Sequence, residues 1–183
     1  MAVSLVSLDD IRRARDVIAG RVHRTPLFSS TLLGRRTDTR LFLKAENLQK
    51  TGSFKPRGVL NKLRHLTPDE KRRGLVTISA GNHAQALAYA AAAEGLAAVV
   101  VMPEGASETK AAASRAYSAE VIIHGTVYQA FDKVHELQES RGLTLVHPYD
   151  DPLIIAGHGT AGLEIVEDLP EVDLVIVPVG GGG

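Results

Sequence analysis

The middle of the chain alternates short apolar runs with longer stretches of helical pattern, and this alternation constrains its fold more than any other feature. The apolar runs cover residues 75–79, 97–102, 121–124 and 143–147, and the helical stretches between them cover residues 82–94, 108–117 and 127–141. Strands that are apolar throughout are buried on both faces, and intervening helices are typical of right-handed βαβ units. The sequence therefore predicts an α/β fold with an open parallel sheet and helices on both faces.

The segment before this region predicts two helices and a strand. Ser7 and Asp10 form a capping-box pattern at the start of a helix that reaches Gly20. Residues 40–44 alternate as a strand does, and residues 55–66 have helical spacing with a proline in the first turn.

The segment after it predicts a short helix or turn at Asp151, a helix over residues 161–169 and a strand over residues 173–179. The strand is apolar throughout and leads into four consecutive glycines, Gly180, Gly181, Gly182 and Gly183. Because a buried parallel strand needs cover on both faces, we expect the chain to be a fragment that lacks the rest of this domain.

Composition excludes several classes of function. The 183 residues carry no net charge, and only 4% are aromatic, so neither a basic surface nor a base-stacking platform for nucleic acid is expected. The chain has no cysteine, no signal-peptide pattern at its start, and no apolar stretch long enough to span a membrane, since Glu94 interrupts the longest one. We expect a cytoplasmic protein.

The first candidate functional residue, Lys55, lies in the segment TGSFKPRG of residues 51–58. A lysine amine becomes a nucleophile or Schiff-base partner when burial disfavours its ammonium form. Phe54 could supply the apolar surroundings, and glycine at position 52 would allow a ligand close to the backbone. The alternative is an ordinary solvated lysine in the first turn of a helix.

Two further segments could bind anions. The sequence SAGNHAQ of residues 79–85 follows an apolar run and opens a helix, where unbonded N–H groups and the helix dipole favour a carboxylate. The glycines of residues 180–183 could wrap a phosphate, since no Cβ blocks the approach. The alternatives are an ordinary Ser or Asn helix cap for the first segment and a flexible tail for the second.

Other motifs are weak or missing. Residues 157–162 match the dinucleotide pattern G-x-G-x-x-G, but the acidic residue that should follow the next strand is absent, so a nicotinamide-binding domain is an unfavoured alternative. The histidines have no metal-ligand spacing, and no metal site is expected.

Nine segments carry a resemblance to a known family through their order and joint presence. They are HRTPL (23–27), KAENLQ (44–49), TGSFKPRG (51–58), SAGNHAQ (79–85), VMPE (101–104), YSAEV (117–121), HPYDDP (147–152), IAGHGT (155–160) and VPVGGGG (177–183). In this the chain resembles the fold-type-II enzymes that depend on pyridoxal 5'-phosphate (PLP), most closely their threonine dehydratase and serine racemase branch.

The resemblance implies the cofactor PLP and a role for each matching residue. Lys55 would form the Schiff base with PLP and then remove the substrate Cα proton. Phe54 would pack on the pyridine ring and Asn82 would hydrogen-bond its hydroxyl. The phosphate would be held by Gly180, Gly181, Gly182 and Gly183. The carboxylate of a small amino-acid substrate would be bound by Ser79, Gly81, Asn82 and His83.

The resemblance also implies two domains and an assembly. Residues 1–72 and 151–183 would belong to an incomplete large domain that binds PLP, and residues 73–150 would form the small α/β domain. The full-length protein would be a homo-oligomer.

One position favours one reaction within the branch. Serine racemases of this group carry a serine directly before Gly-Asn-His, as a base on the second face of the cofactor, and Ala80 stands there. The resemblance therefore implies β-elimination, with L-threonine converted to 2-oxobutanoate and ammonia. The alternatives are a serine racemase or dehydratase, a dehydratase of another hydroxylated amino acid (for example in hydroxyectoine breakdown), and an inactive binding fragment.

Three residues depart from the family pattern. Ser107 and Ser118 replace an expected proline and glycine, and His158 replaces a glutamine. We expect all three to lie away from the lysine motif and to affect the choice of substrate more than the use of the cofactor.

Overall fold

The structure is a computed structural model and describes residues 5–180. The elements before the central sheet are α1 (Leu8–Ile18), β1 (Leu27–Ser29), α2 (Thr31–Thr37), β2 (Phe42–Lys44), the 3-10 turns Glu46–Leu48 and Lys50–Gly52, α3 (Lys55–Arg64) and α4 (Pro68–Arg73). They are followed by β3 (Leu75–Ile78), α5 (Asn82–Ala93), β4 (Ala98–Met102), α6 (Glu108–Ala116), β5 (Glu120–Ile123), α7 (Val127–Arg141), β6 (Thr144–Leu145) and α8 (Pro152–Asp168).

The central sheet confirms the predicted α/β class. Its strands lie in the order β5-β4-β3-β6, and every pair is parallel, with Leu75 opposite Ala98 and Val99 opposite Glu120. A separate antiparallel pair joins β1 to β2. The four strands of the parallel sheet correspond to the apolar runs of the sequence, with bounds that differ by at most two residues at either end.

The two faces of the sheet are covered by different helices because side chains alternate along a strand. Val99 and Val101 of β4 point to one face, where they pack with α7 residues such as Val134. Val100 and Met102 point to the other face and pack in the cluster that contains the alanines of α5. These two layers give the arrangement that the sequence predicts, with helices on both faces.

Helix α8 runs unbroken through a segment for which the sequence predicted a break. Asp151 caps it, since its carboxylate accepts the N–H of Leu153 at 2.8 Å, and the helix then continues through Gly157 to Asp168. The predicted helix over residues 161–169 is therefore confirmed as far as residue 168, but it begins nine residues earlier than predicted. Glycine has low helix propensity, but tertiary packing overrides propensity where a small residue is needed for close approach.

That close approach lies between α3 and α8. A Cβ on Gly157 would come within 2.6 Å of the Cα of Gly58, and a Cβ on Gly58 would come within 2.7 Å of the carbonyl oxygen of Ile154. Both distances are too short for real carbon contacts, so the two helices touch through their backbones. The G-x-G-x-x-G match lies in this helix, whose N–H groups are used in its own ladder. A nicotinamide-binding loop there is excluded.

The predicted buried strand over residues 173–179 is not present. These residues form no strand, and their apolar side chains are largely exposed, with Ile176 at 85%. A strand needs a neighbouring strand for its N–H and C=O groups. In the described residues 5–180, none of the six strands lies beside this segment.

A buried arginine connects the N-terminal segments to α3 and α8. The Arg57 side chain is fully buried, and its guanidinium lies 2.8 Å from Glu46 Oε1 and 2.7 Å from Glu164 Oε1. Lys44 Nζ adds a contact of 2.6 Å to Glu164. Burial alone would lower the pKa of the Arg57 guanidinium. The hydrogen bonds that it donates to Glu46 and Glu164 outweigh this effect and raise its pKa above the ordinary value. The four side chains hold β2, α3 and α8 in one arrangement.

Two departures from the family pattern have backbones that suit the expected residues. Ser118 has a φ of 63°, in the left-handed region that favours glycine. Ser107 has a φ of −60°, which is the value that proline fixes. At both positions the backbone has the conformation that the expected residue favours, although a serine stands there.

The contact between α3 and α8 predicts a large difference between two glycines of α8. Gly157→Ala should lower the free energy of unfolding by about 1–3 kcal/mol, because the new methyl group overpacks a backbone contact. Gly162→Ala is the matched control, since nothing lies within 4 Å of a Cβ there, and it should stabilise the helix by about 0.5–1 kcal/mol. Urea denaturation of both variants measures the difference, and equal stabilities would contradict the close approach.

Candidate active site

Lys55 begins α3 and is held at the sheet's C-terminal side. Its Nζ donates a hydrogen bond of 2.8 Å to the carbonyl oxygen of Pro148, which follows β6. The Phe54 ring centroid is 5.0 Å from the same nitrogen. The side chain is partly buried, and burial lowers the pKa of the amine from its ordinary value of 10.5. The alternative of a freely solvated surface lysine does not fit this position.

The loop before Lys55 has an unusual backbone. Thr51 has a φ of 62° and Gly52 a φ of 70°, so the chain turns through the left-handed region twice in succession. For a threonine this conformation costs on the order of 1–3 kcal/mol and persists only where the surroundings enforce it. Here the next helix is fixed by Arg57 in its first turn, which places Lys55 within the site.

The loop after β3 leaves the start of α5 without a side-chain cap. Gly81 occupies the cap position, and no side chain among the described residues bonds the first N–H groups of this helix. Ser79 Oγ instead accepts the N–H of Gly81 at 3.1 Å. Asn82 is the first helical residue and keeps part of its surface open to solvent. The alternative of a Ser or Asn helix cap is therefore wrong, and the N–H groups are available to an anion.

The His83 ring contacts the segment that follows β6. Its side chain is buried, and Nε2 lies 3.2 Å from the carbonyl oxygen of Val146. Burial lowers the imidazole pKa to about 3, so the ring is neutral at neutral pH. The imidazole is therefore engaged inside the fold, and a part for His83 in carboxylate binding stays a prediction. The His83 backbone remains in the first turn of α5.

His158 lies against the lysine motif, and the expectation that it lies away from that motif is wrong. Its ring meets the Phe54 ring edge to face, with centroids 4.7 Å apart and planes at 76°. It also covers Gly58, where an added Cβ would approach the His158 Nε2 to 2.6 Å. Burial, with a smaller effect of the Lys55 charge, lowers its pKa to about 3.

His147 is the second residue that sequence reasoning missed. Burial lowers the pKa of its imidazole, while the carboxylates of Asp150 and Asp151 act in the opposite direction. Both missed histidines belong to segments that carry the resemblance, HPYDDP and IAGHGT. That membership was the available signal, but no sequence spacing connects position 55 with positions so far along the chain.

The remaining predicted residues lie partly outside the described chain. Gly180 is exposed, and Gly181, Gly182 and Gly183 lie outside the described residues. No group of His, Asp or Glu between residues 5 and 180 is arranged to hold a metal ion. Nor does any helix in that range have the length and apolarity to cross a membrane.

The two most buried histidines predict a dependence of stability on pH. Because the folded pKa values of His83 and His158 are about 3 and the ordinary value is 6.5, only the unfolded chain takes up these protons between pH 6.5 and 3. Stability should therefore fall as pH falls through this window, by about 1.4 kcal/mol per pH unit for each histidine. His158→Gln should make the slope between pH 6.5 and 5 shallower, with His83 and the less buried His147 supplying the rest, as measured by urea denaturation. The exposed His135→Gln control should leave it unchanged.

Comparison with known proteins gives a consistent set of relatives. The family model described as pyridoxal-phosphate dependent enzyme matches residues 18–183. The chain is 51% identical over 179 residues to the catabolic L-threonine dehydratase of Escherichia coli strain K12, with 97% of this chain and 54% of that protein covered. It is 48% identical over 180 residues to the L-threonine ammonia-lyase of Thermotoga maritima, with 98% and 45% covered.

A solved structure has the same fold. Maize serine racemase superposes with a TM-score of 0.94 at 38% sequence identity, covering 98% of this chain and 55% of that one. The chain thus spans about half the length of the relatives it matches. With the match to the family model over nearly its whole length, the chain belongs to the family of pyridoxal-phosphate-dependent enzymes.

Proposed function

We propose that this chain serves a PLP-dependent β-elimination, in which L-threonine is converted to 2-oxobutanoate and ammonia. The observation that carries the proposal is the Lys55 amine, partly buried, with a lowered pKa, and flanked by the Phe54 ring. The names of the relatives, an L-threonine ammonia-lyase and an L-threonine dehydratase, support the reaction class.

The described residues fit the cofactor. A Schiff-base lysine needs an amine that loses its proton readily, and burial of Lys55 provides this. An aromatic face beside the amine suits a pyridine ring, and Phe54 is held in place by the edge of His158. We assign ring-hydroxyl binding to Asn82 and phosphate binding to Gly180, Gly181, Gly182 and Gly183. When bound, PLP supplies an electron sink for the charge that remains after loss of the Cα proton.

The protein's part in the chemistry is to hold the substrate and to move one proton. The Lys55 amine accepts the proton from the substrate Cα, and its lowered pKa keeps more of it in the neutral form near neutral pH. The uncapped N–H groups of Asn82 and His83, in the first turn of α5, bind the substrate carboxylate, because the helix dipole favours a negative charge there. Ser79 and Gly81 shape the turn that presents these groups, since the Gly81 N–H is donated to the Ser79 hydroxyl.

Ala80 decides between elimination and racemisation in this proposal. Inversion at Cα requires a second proton-carrying group on the face opposite Lys55, and a methyl group has none. Loss of the β-hydroxyl then follows removal of the Cα proton. The released enamine product takes up water to give the 2-oxo acid and ammonia.

A second candidate reaction is serine racemisation or dehydration, favoured by the superposition on maize serine racemase. Incubation of the protein with L-threonine, L-serine and D-serine separates the reactions, since a dehydratase yields a 2-oxo acid and a racemase yields the inverted amino acid. Elimination from another hydroxylated amino acid would appear as activity on that substrate alone.

The wider organisation is also part of the proposal. We divide the chain into a large domain from residues 1–72 and 151–183 and a small domain from residues 73–150. We further propose a homo-oligomeric, cytoplasmic protein, which suits an enzyme acting on a small amino acid. Size-exclusion chromatography with light scattering tests the assembly.

Replacement of the lysine tests the cofactor site. Lys55→Ala should abolish the visible Schiff-base absorbance that appears when PLP is titrated into the protein, and with it formation of 2-oxobutanoate. Lys133→Ala on α7 is the control and should retain both. If the unaltered protein develops no such absorbance, it is a binding fragment without this chemistry and the proposal fails.

Substitution of Ala80 tests the choice of reaction. Ala80→Ser should raise the rate of D-serine formation from L-serine by a factor on the order of 10²–10⁴, the usual contribution of a placed acid or base. Ala80→Val, which also fills the position but carries no proton, is the control. Equal racemisation by both variants would show that position 80 does not choose the reaction.

A further inference from the structure

The turn of residues 147–150 provides the acceptor for the Lys55 amine. The bond from Nζ to the Pro148 carbonyl oxygen is 2.8 Å long and joins two residues that are 93 positions apart in sequence. Within residues 5–180 it is the one hydrogen bond that this amine donates. The position of the amine therefore depends on where this turn places one carbonyl group.

His147 closes that turn with its side chain. Its Nδ1 accepts the N–H of Asp150 at 2.8 Å and the N–H of Tyr149 at 3.3 Å. The imidazole also meets the Tyr149 ring edge to face, with centroids 4.7 Å apart. One ring nitrogen thus fixes the two peptide groups that follow Pro148, and proline itself has a fixed φ. The carbonyl group between these constraints has little freedom to rotate.

Only a neutral imidazole can do this, because an imidazolium has no lone pair at Nδ1. Burial lowers the pKa of His147 and so favours the acceptor form. Since Nδ1 accepts, the ring proton lies on Nε2.

We propose that His147 is a positioning residue for Lys55, acting through the Pro148 carbonyl group. The inference rests on the proposed role of Lys55 as the proton-carrying amine. Such an amine must be held in reach of the substrate during the part of the cycle in which it is not covalently bound. During that period the amine is hydrogen-bonded to the Pro148 carbonyl oxygen. The hydrogen bonds that His147 Nδ1 accepts hold this carbonyl group in its orientation.

The proposal makes His147 sensitive to the type of its replacement. His147→Leu removes the acceptor and keeps an apolar side chain of similar bulk. His147→Gln keeps a polar side chain but moves its oxygen one bond further from the backbone. His147→Asn retains an acceptor at the distance from the backbone at which Nδ1 lies. Asn should therefore rescue what Leu and Gln lose.

The experiment measures the Lys55 amine directly, in protein without added cofactor. Competitive acetylation with trace anhydride, quantified by mass spectrometry of the peptide that contains Lys55, reports its reactivity from about pH 6 to about pH 11, a range that brackets the ordinary lysine pKa. Lys133 of the same molecule is the internal reference. The exposed His135→Leu is the matched control for loss of a histidine, and circular dichroism with thermal unfolding confirms folding.

Without the acceptor at position 147, the Pro148 carbonyl group is no longer held toward Lys55. The ammonium form of Lys55 should then be destabilised, because a hydrogen bond to a charged group is lost. In His147→Leu and His147→Gln we expect Lys55 to acetylate about tenfold faster than in the unaltered protein at pH 8, with the midpoint of its pH profile at lower pH. His147→Asn and His135→Leu should stay within about twofold, since each keeps the acceptor that the bond needs.

Two outcomes would overturn the proposal. An unchanged midpoint in folded His147→Gln would show that the carbonyl needs no support from this ring, and a midpoint at higher pH would show that the ring only excludes water. Because the measurement involves neither PLP nor turnover, a failure here is distinct from a failure of the proposed lyase function, which the Lys55→Ala titration tests.

Discussion

The arrangement of this protein depends on the buried charge of Arg57. A guanidinium without access to water is tolerated only because two carboxylates contact it, Glu46 from the turn after β2 and Glu164 from α8. Lys44 in turn contacts Glu164. Removal of one partner from such a cluster typically costs about 3–5 kcal/mol, since a charge is left unpaired inside the fold. Arg57 lies two residues after Lys55, and so the ion pairs that join the N-terminal segments to α8 also fix the start of the helix that carries the Lys55 amine.

The parallel sheet could be predicted from sequence because its strands are apolar on both faces, and the residues between them have helical spacing. The start of α1 was equally readable, since the capping box of Ser7 and Asp10 forms as expected. Predictions from local sequence pattern failed where the structure depends on packing between distant segments. The glycines of α8 suggested a break, but they are needed for contact with α3, and the apolar residues 173–179 suggested a strand for which the described chain has no neighbour.

The same division holds for the candidate site. Lys55 and the loop of residues 79–83 could be found because each is a contiguous motif whose residue types suit a ligand. The placement of His147 and His158 could not be predicted in this way. It follows from the turn after β6 and from the packing of α8 on α3, which bring distant segments close to Lys55. Their burial favours the uncharged form of both rings, so neither histidine adds a positive charge beside the amine. The contact of the His83 ring with Val146 could not be predicted for the same reason, and the part of His83 in substrate binding stays a prediction.

The contact of Gly58 with Gly157 and His158 connects the packing of two helices to the shape of the candidate site around Phe54. Two neighbours fill the space around Gly58. One is the backbone of α8, and the other is the His158 imidazole, which packs against the Phe54 ring. A side chain gained at position 58 must take its volume from one of these neighbours. Sequence change at positions 58, 157 and 158 is therefore coupled. A histidine at position 158 fits only because Gly58 has no side chain, so the smallest residue of α3 determines which side chains can pack behind Phe54.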